Sequence, residues 1–474
     1  MVRTNFFTKQ AEVTPENLGE AIQQAIEIEI ATIPVYLYTY YSINRVPDQD
    51  AISGSIVQEL TRAGRSLSEA SAIALDLSAD IMVYANKAGA LIMSVAIEEM
   101  LHMALSSNLK QALAGLPQLA GKSPSTWPAY LPGHIPPFPI NREKLSQDQL
   151  MTFLKIESPK PLTDPKLLAA PIPYETIGLF YLMIKDCIKN NDLYYNLRSP
   201  QLLPGKGYYA QNNIDTVYYD RDHKAHFTNA EDSGDLLHVR DRESALHAID
   251  CIVEQGEGFP GAPGFENGKV DCSKIVPDDY DDPGEKELSH FEKFARIYCR
   301  HNTLTEKFKT NGIDTDITSY FVVNVQKNPS TVDYPPNIAP VSDLLNAVYT
   351  YLFVMVENCY MQAGSTQFEI FMFGIHKSMI FILNSICGDI MKLTYEYDGQ
   401  TYAAAPTFED YAFGLVSSPK TQLIELFNIA AAVYPTINYL GQRISDLPDV
   451  PLQVEGKFNN SGGYTSIKLN TSPC

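Results

Sequence analysis

The chain has 474 residues, a formal net charge of −20 and an ordinary globular composition in which 45% of the residues are apolar. The acidic balance argues against a nucleic-acid-binding surface and against binding to anionic membranes, because both need a basic face. The N-terminal stretch has no apolar signal core, and no segment reaches the roughly eighteen apolar residues of a membrane helix. We therefore expect a cytoplasmic protein without a membrane or nucleic-acid partner.

Helical periodicity dominates the sequence and predicts an all-α protein. The first helix is predicted to begin at Thr14, with Pro15 at its first helical position and a kink at Pro34. Five more helices are predicted in ELTRAGRSLSEASAIALDLS, NKAGALIMSVAIEEMLHMALSSNLKQALAG, YETIGLFYLMIKDCIKN, RESALHAIDCIVEQGEG and GEKELSHFEKFARIYCR. Three further apolar helices follow from about Pro340.

Irregular stretches separate the predicted helices. Residues 121–141 are rich in proline and predict an extended connector, whereas residues 193–240 predict a loop with a few short strands. We predict a bundle domain at residues 1–305 and a C-terminal helical extension at residues 306–474 packed on it, with a loosely structured tail from about residue 448. The seven cysteines are scattered without a C-x-x-C pair, which predicts reduced thiols.

Two Glu-x-x-His motifs, Glu99/His102 and Glu287/His290, carry the clearest chemical signal. Residues three apart share one face of a helix, so each motif presents a carboxylate and an imidazole to one point. Both motifs lie on apolar faces of their helical wheels, whereas Glu98 lies about 100° from Glu99. Each motif alone fits a buried Glu–His hydrogen bond, but the two together favour a metal centre, because di-iron bundles combine two such helices.

Such a bundle needs one further glutamate from each of two other helices. In the first helix Glu29 lies on the apolar face and Glu27 on the opposite, solvated face, so Glu29 is the candidate ligand. The second position stays open. Glu254 lies on a polar stripe that either faces solvent or lines a cavity, and Glu257 is its rival.

The chain at this point resembles the ferritin-like domain also called the iminophenyl-pyruvate dimer synthase domain, found in the chromopyrrolate-forming enzymes of violacein and rebeccamycin biosynthesis. The matching stretches, in family order over roughly residues 14–300, are AIEIEIATIPVYLYTYYSI, SVAIEEMLHMALSSNLKQALAG, YETIGLFYLMI, AIDCIVEQGEG and ELSHFEKF. The resemblance implies a ferritin-like four-helix bundle with additional C-terminal helices. It also implies metal ligands and catalytic residues at Glu29, Glu99, His102, Glu254, Glu287 and His290.

Two features depart from the family pattern. Leu179 stands where the family commonly has an acidic residue, so any role of that carboxylate is absent here. The segment between Tyr41 and Asn86 looks longer than usual and would reshape the mouth of a pocket. The pigment-forming members are also longer proteins, so a shared domain does not imply a shared reaction.

Four carboxylates and two imidazoles without a thiolate suit two iron ions, or manganese in their place. With iron, the centre would use O2 as co-substrate. We therefore expect a non-haem di-metal oxidase or oxygenase acting on a small molecule of specialised metabolism, either amino-acid-derived or aromatic and lipophilic. Aromatic residues beside the ligands predict either a partly apolar substrate cavity or plain core packing: Tyr36, Phe291, Phe294 and Tyr298.

Two other functions stay open. One is oxidative coupling of two imino acids, although no arginine lies on the ligand faces to bind their carboxylates; the other is a non-catalytic metal-binding bundle. A homodimer is compatible with either. Outside the motifs, His376 is predicted to be a satisfied core histidine, Glu357 has no partner motif, and His223 and His226 are predicted to lie at the surface.

Overall fold

The computed structural model describes residues 12–158, 172–202, 236–256, 265–266, 269–275 and 288–453. Its helices are α1 (Leu18–Tyr41), α2 (Gln49–Arg62), α3 (Leu67–Leu113), α4 (Gln147–Ile156), α5 (Ile177–Asn190), α6 (Arg242–Gln255), α7 (His290–Thr310), α8 (Ala339–Cys359), α9 (Gly364–Ile390), α10 (Pro419–Val433) and α11 (Gly441–Ser445). Two short antiparallel hairpins pair β1 (Phe265–Glu266) with β2 (Lys269–Val270) and β3 (Thr394–Tyr397) with β4 (Gln400–Ala403). The predicted all-α class is confirmed.

Helix α1 lies in the core of the bundle and packs against α3. It begins at Leu18 rather than at the predicted Thr14, because the side chain of Asn17 accepts a hydrogen bond from the Thr14 amide (2.7 Å) in a turn that precedes the helix. The helix continues through Pro34 to Tyr41. Nearly all of its side chains beyond the first turn are buried, as expected for a helix that is apolar on most faces.

Helix α3 is much longer than predicted, with 47 residues. It begins after Ser66, which forms a capping box with Glu69, and its first turns pack against α2. The later turns pass through the middle of the molecule and contact α1, α6 and α7. This central course places the second half of α3 between the bundle on one side and the C-terminal helices on the other.

The C-terminal helices pack directly on the bundle. The hydroxyl of Tyr360, which follows α8, donates to the Ala104 carbonyl on α3 (3.1 Å), and the Gln111 amide donates to the Tyr360 carbonyl (2.8 Å). Glu357 accepts backbone hydrogen bonds from the loop after α3, at 2.7 and 3.0 Å. The predicted domain boundary at residue 305 falls inside α7, and the division into two domains stays a prediction.

Three helices are long and apolar enough to cross a membrane by length and composition: α3, α8 and α9. The expectation that no segment is long and apolar enough was therefore wrong, because each of these helices has an apolar window of 18 residues that contains at most two charged side chains. The most apolar windows of α3 and α8 are 89% and 83% buried inside the protein, whereas that of α9 is 44% buried.

Cys272 and Cys299 form a disulfide bond, so the expectation of reduced thiols was wrong for this pair. The two cysteines are 27 residues apart and belong to no spacing motif; Cys272 opens the Cys272–Lys274 turn and Cys299 lies in α7. Three buried cysteines in the described part of the chain remain free thiols: Cys187, Cys359 and Cys387.

Candidate metal centre

Helix α3 supplies the centre of a buried polar cluster. Glu99 and His102 are 3% and 2% exposed and lie together on the face predicted from the helical wheel. With His290 of α7 they form a group in which one potential ligand atom from each residue lies within 4.8 Å of the other two. The rings of His102 and His290 stack with centroids 5.1 Å apart. The first Glu-x-x-His motif is thus brought together with the histidine of the second.

His290 is the first residue of α7 and is completely buried. The helix begins here because Ser289 and Glu292 form a capping box: Ser289 Oγ accepts from the Glu292 amide (3.3 Å), and Glu292 accepts from the Ser289 amide (2.9 Å). The sequence predicted a helix that already contained Glu287. The two described residues before α7, Leu288 and Ser289, are not helical. Glu287 lies outside the described residues, and its role stays a prediction.

Helix α1 brings Glu29 to the cluster. Its buried carboxyl group shares a hydrogen bond with Glu99, and the Tyr181 hydroxyl of α5 donates to its Oε1 (2.5 Å). Thr32, one turn along α1, donates to Oε2 of Glu99 (3.0 Å). The rival Glu27 is half-buried at the surface, 3.2 Å from the Lys122 ammonium, so the two glutamates occupy the faces that the wheel predicts.

Glu157, which the sequence analysis missed, also lies in the cluster. It is 3% exposed, follows the last residue of α4, and places Oε2 3.5 Å from Nδ1 of His290. Its Oε1 accepts a hydrogen bond from the Tyr36 hydroxyl. A signal was present, since Leu150, Phe153 and Leu154 precede Glu157 by seven, four and three residues and share its helical face.

Glu254 is not brought to the cluster. Its side chain is exposed, in agreement with the solvated reading of its polar stripe, whereas the neighbouring Gln255 is buried. Oε1 of Gln255 accepts a hydrogen bond from Nε2 of His102 (3.0 Å). Adjacent residues point about 100° apart on a helix, so only one of the two can face the cluster. Glu257 lies outside the described residues.

Glu98 is buried as well, although the wheel placed it away from the apolar stripe. It is 1% exposed and forms an ion pair with Lys293, whose Nζ lies 2.7 Å from Oε2. The same Oε2 lies 2.8 Å from Nε2 of His290. Helix α7 covers this side of α3 and supplies the cation that the buried carboxylate needs.

The buried carboxyl groups differ in pKa. Burial, reinforced by the charge of Glu99, raises the pKa of Glu29 well above its usual value, and the same causes raise the pKa of Glu157. Burial also opposes ionisation of Glu99, but its hydrogen bond with Glu29 and its contact with His290 outweigh that effect and lower its pKa to about 2. Likewise Lys293 and His290 outweigh burial and lower the pKa of Glu98 to about 2.

The two imidazoles also differ. Burial and the neighbouring His290 lower the pKa of His102 to about 4, so its ring is neutral at pH 7. Burial opposes protonation of His290 too, but the carboxylates of Glu157, Glu98 and Glu99 outweigh it and raise its pKa well above the ordinary value. Both raised pKa values, of His290 and of Glu29, favour the protonated forms, which offset part of the negative charge of the cluster.

The cluster fits a metal ion. Nδ1 of His290 lies 2.9 Å from Oε1 of Glu99, yet neither ring nitrogen of His290 makes a hydrogen bond of normal geometry within the part of the chain that the structure describes. Buried polar atoms rarely lack a hydrogen-bond partner. A cation bound between the ring nitrogens and the carboxylates would provide a partner for the nitrogens and for the carboxylates. Carboxylate oxygens with imidazole nitrogens and no thiolate suit iron or manganese.

The aromatic residues beside the ligands pack into the core. The ring of Tyr36 lies 4.9 Å from that of Phe153 and 5.2 Å from that of Phe294, measured between centroids. Phe291 and Phe294 are completely buried, whereas Tyr298 is half-buried. Plain packing therefore accounts for Phe291 and Phe294, while Tyr36 also orients Glu157 through its hydroxyl.

Comparison with known proteins agrees with this geometry. No curated protein matches the sequence. A ferritin-like protein from Caulobacter vibrioides is 17% identical over 79% of this chain and 96% of its own, with a TM-score of 0.42, which is too low to carry an argument. The model of the ferritin-like family, however, matches residues 22–299, more than half of the chain and the whole span from α1 to the cluster residue on α7. The chain belongs to the ferritin-like family.

Proposed function

We propose that the buried cluster holds two metal ions and that the protein is a non-haem di-iron oxidase or oxygenase acting on a small molecule. The main support for this proposal is that Glu99, His102 and His290 lie together in a buried site, with their potential ligand atoms within 4.8 Å of one another. Glu29 and Glu157, which contact these residues, are further proposed ligands, and Glu287 stays a predicted one. Bound iron would supply activation of O2, which amino-acid side chains alone do not provide.

The surrounding side chains would hold the ligands in place. Gln255 fixes the ring of His102 through Nε2 and leaves its other nitrogen for the metal. Oε2 of Glu98, which forms an ion pair with Lys293, lies 2.8 Å from Nε2 of His290, so Nδ1 would remain for the metal. The Tyr181 hydroxyl orients the carboxylate of Glu29, as the Tyr36 hydroxyl does for Glu157. Burial of the whole set excludes bulk water.

Oxidative coupling of imino acids, as in the dimer synthase branch of the family, is a second candidate. That reaction would need a cation for the carboxylates of its substrates. The Lys293 ammonium lies at the cluster but is engaged by Glu98 and Ser94, with its Nζ 3.0 Å from Ser94 Oγ. This favours an oxidase or oxygenase with an amino-acid-derived or aromatic substrate that lacks such a carboxylate pair.

Elemental analysis of protein produced with iron available tests the metal centre directly. We expect about two iron or manganese ions per chain, as in di-metal bundles of this kind, and a loss of metal in His102→Ala and His290→Ala. His134→Ala is the matched control, because His134 is a half-buried histidine whose Nδ1 is hydrogen-bonded to the Pro136 carbonyl outside the cluster. A metal-free, fully folded wild-type protein would contradict the proposal.

Oxygen consumption distinguishes the enzymatic from the non-catalytic interpretation. The iron-loaded, chemically reduced protein should consume O2 repeatedly in the presence of reductant and a substrate from a panel of aromatic amino-acid derivatives. Stoichiometric uptake that stops after one oxidation of the metal, with every member of the panel, would support a metal-binding bundle without turnover.

A further inference from the structure

A partly open cavity lies between the bundle and the C-terminal helices. It is an apolar cavity of about 130 Å³, walled by α1 and α3 on one side and by α8 and α9 on the other. Among its lining residues are Ile33, Met93, Met100, Met103, Phe353 and Met379. Met100 follows Glu99 on α3 and points about 100° away from it, so the cavity and the polar cluster lie on different faces of this helix.

His376 of α9 lines this cavity together with Tyr41 and Tyr349, whose hydroxyl groups are hydrogen-bonded to Asn384 and Ser123. Its Nε2 is buried and has no hydrogen-bond partner among the described residues, so the expectation of a satisfied core histidine was wrong. Burial lowers the pKa of His376, and the imidazole is therefore neutral at pH 7. A neutral imidazole nitrogen offers one hydrogen bond, as donor or as acceptor according to its tautomer.

The wall that carries His376 has an unusual backbone. Within α9, Ile370–His376 and Ser378–Leu383 are π-helical. Stretches of π-helix are rare, and they occur frequently at functional sites. Both stretches contribute to the cavity wall, the first with Phe371 and Ile375 and the second with Met379. The unpaired histidine and the irregular helix thus occur at the same place.

We propose that this cavity binds a single-ring aromatic molecule carrying one hydroxyl or N–H group, with the ring among the methionines and the polar group on Nε2 of His376. The size is suitable, because an apolar cavity of about 150 Å³ binds benzene. The lining favours a ring over an acyl chain, since methionine sulfur makes favourable contacts with aromatic rings. The four methionines are Met93, Met100, Met103 and Met379.

Calorimetric titration of the full chain with phenol, toluene and hexanol tests this site. Phenol should bind saturably and about fivefold to tenfold more tightly than toluene, which has the same shape but cannot form the hydrogen bond. His376→Leu should reduce the affinity for phenol to that for toluene and leave the affinity for toluene unchanged. His238→Leu, the same change at a half-buried histidine before α6, should alter neither.

Three outcomes would overturn the proposal. They are no saturable binding of phenol, an equal loss of affinity for phenol and for toluene in His376→Leu, and tighter binding of hexanol than of phenol. Ala104→Leu, which fills the cavity from α3, should abolish binding of both rings. If that variant does not fold, Ile380→Trp on the opposite wall provides the same test. Phenol should still bind after removal of metal with a chelator, so failure of the metal-centre proposal leaves this one standing.

Discussion

The two faces of α3 contrast in how they bury polar groups. On one face four carboxyl groups, two imidazoles and an ammonium group lie within contact of one another, so every charge has a partner. On the other face an apolar cavity contains one histidine nitrogen with no partner among the described residues. A buried charge needs an opposite charge nearby, whereas burying a neutral polar atom without a partner costs less free energy. Replacing a polar residue by an apolar one should therefore destabilise the protein on the first face and leave its stability unchanged or higher on the second.

The largest effect should come from removing the cation of the polar cluster. Lys293→Met leaves the Glu98 carboxylate buried without its ion-pair partner, and we expect a loss of about 3–5 kcal/mol in the free energy of unfolding. Urea denaturation at pH 7 measures it. Lys307→Met removes a partly exposed ammonium from Asp76 and Asp80 and should cost at most about 1 kcal/mol. Equal losses in the two variants would mean that the cluster does not depend on charge compensation.

A smaller effect is expected on metal affinity when one imidazole loses its orienting contact. Gln255→Ala removes the acceptor at Nε2 of His102, and such second contacts typically change metal affinity by about 10-fold to 100-fold. Competition with a chelator measures the change. Glu254→Ala is the matched control, because this neighbour is exposed and should retain full affinity. The reverse result would restore Glu254 as the ligand that the family resemblance implies.

Glu357 of α8 sharpens the comparison, since it is a buried carboxyl group without a cation in direct contact among the described residues. Burial raises its pKa to about 7 despite two backbone hydrogen bonds. The folded state therefore binds this proton more tightly than the unfolded state, and stability falls as the pH rises from about 4.5 to about 7. Glu357→Gln should remove this fall and be more stable than wild type at pH 8 by about 1–3 kcal/mol. Urea denaturation at pH 5 and pH 8 checks it, and parallel pH profiles would contradict it.

The smallest effect is expected at the cavity. His376→Leu removes a polar atom that lacks a partner, so it should leave the stability unchanged or raise it by up to about 1 kcal/mol at pH 7. Because burial lowers the pKa of His376, the folded state binds its proton less tightly, and stability should fall as the pH drops below 6.5. The variant should lose part of this acid sensitivity in thermal melts at pH 5. A clear destabilisation at pH 7 would indicate that the nitrogen has a partner.

The sequence predicted those parts of the site that depend on one helix at a time. Wheels placed Glu29 and Glu99 correctly, because both helices are buried and their apolar stripes identify the inner face. The same method misplaced Glu98, since a wheel does not show that α7 covers its side of α3 with Lys293. Glu157 was missed because it follows a short helix that no motif marked, and it reaches the cluster only through tertiary packing.

The fold class followed from periodicity, but connections between elements did not. The length of α3 and the Cys272–Cys299 bond both depend on packing between distant segments. The Glu254 expectation came from the family resemblance, whereas the polar stripe on its own already allowed a solvated face. The polar stripe thus left the observed alternative open, and the exposed side chain of Glu254 lies beside the buried Gln255, which contacts the cluster instead.

The start of α7 at His290 has an electrostatic consequence of its own. The peptide dipoles of a helix add up to a partial positive charge at its N-terminus, which stabilises nearby anions within the first turn. His290 is that first residue, and its ring contacts the carboxylates of Glu98, Glu99 and Glu157. The backbone of α7 thus attracts the same negative charges that its first side chain contacts. This fixed field favours the ionised form of each carboxyl group, and at Glu157 it opposes the effect of burial, which raises the pKa.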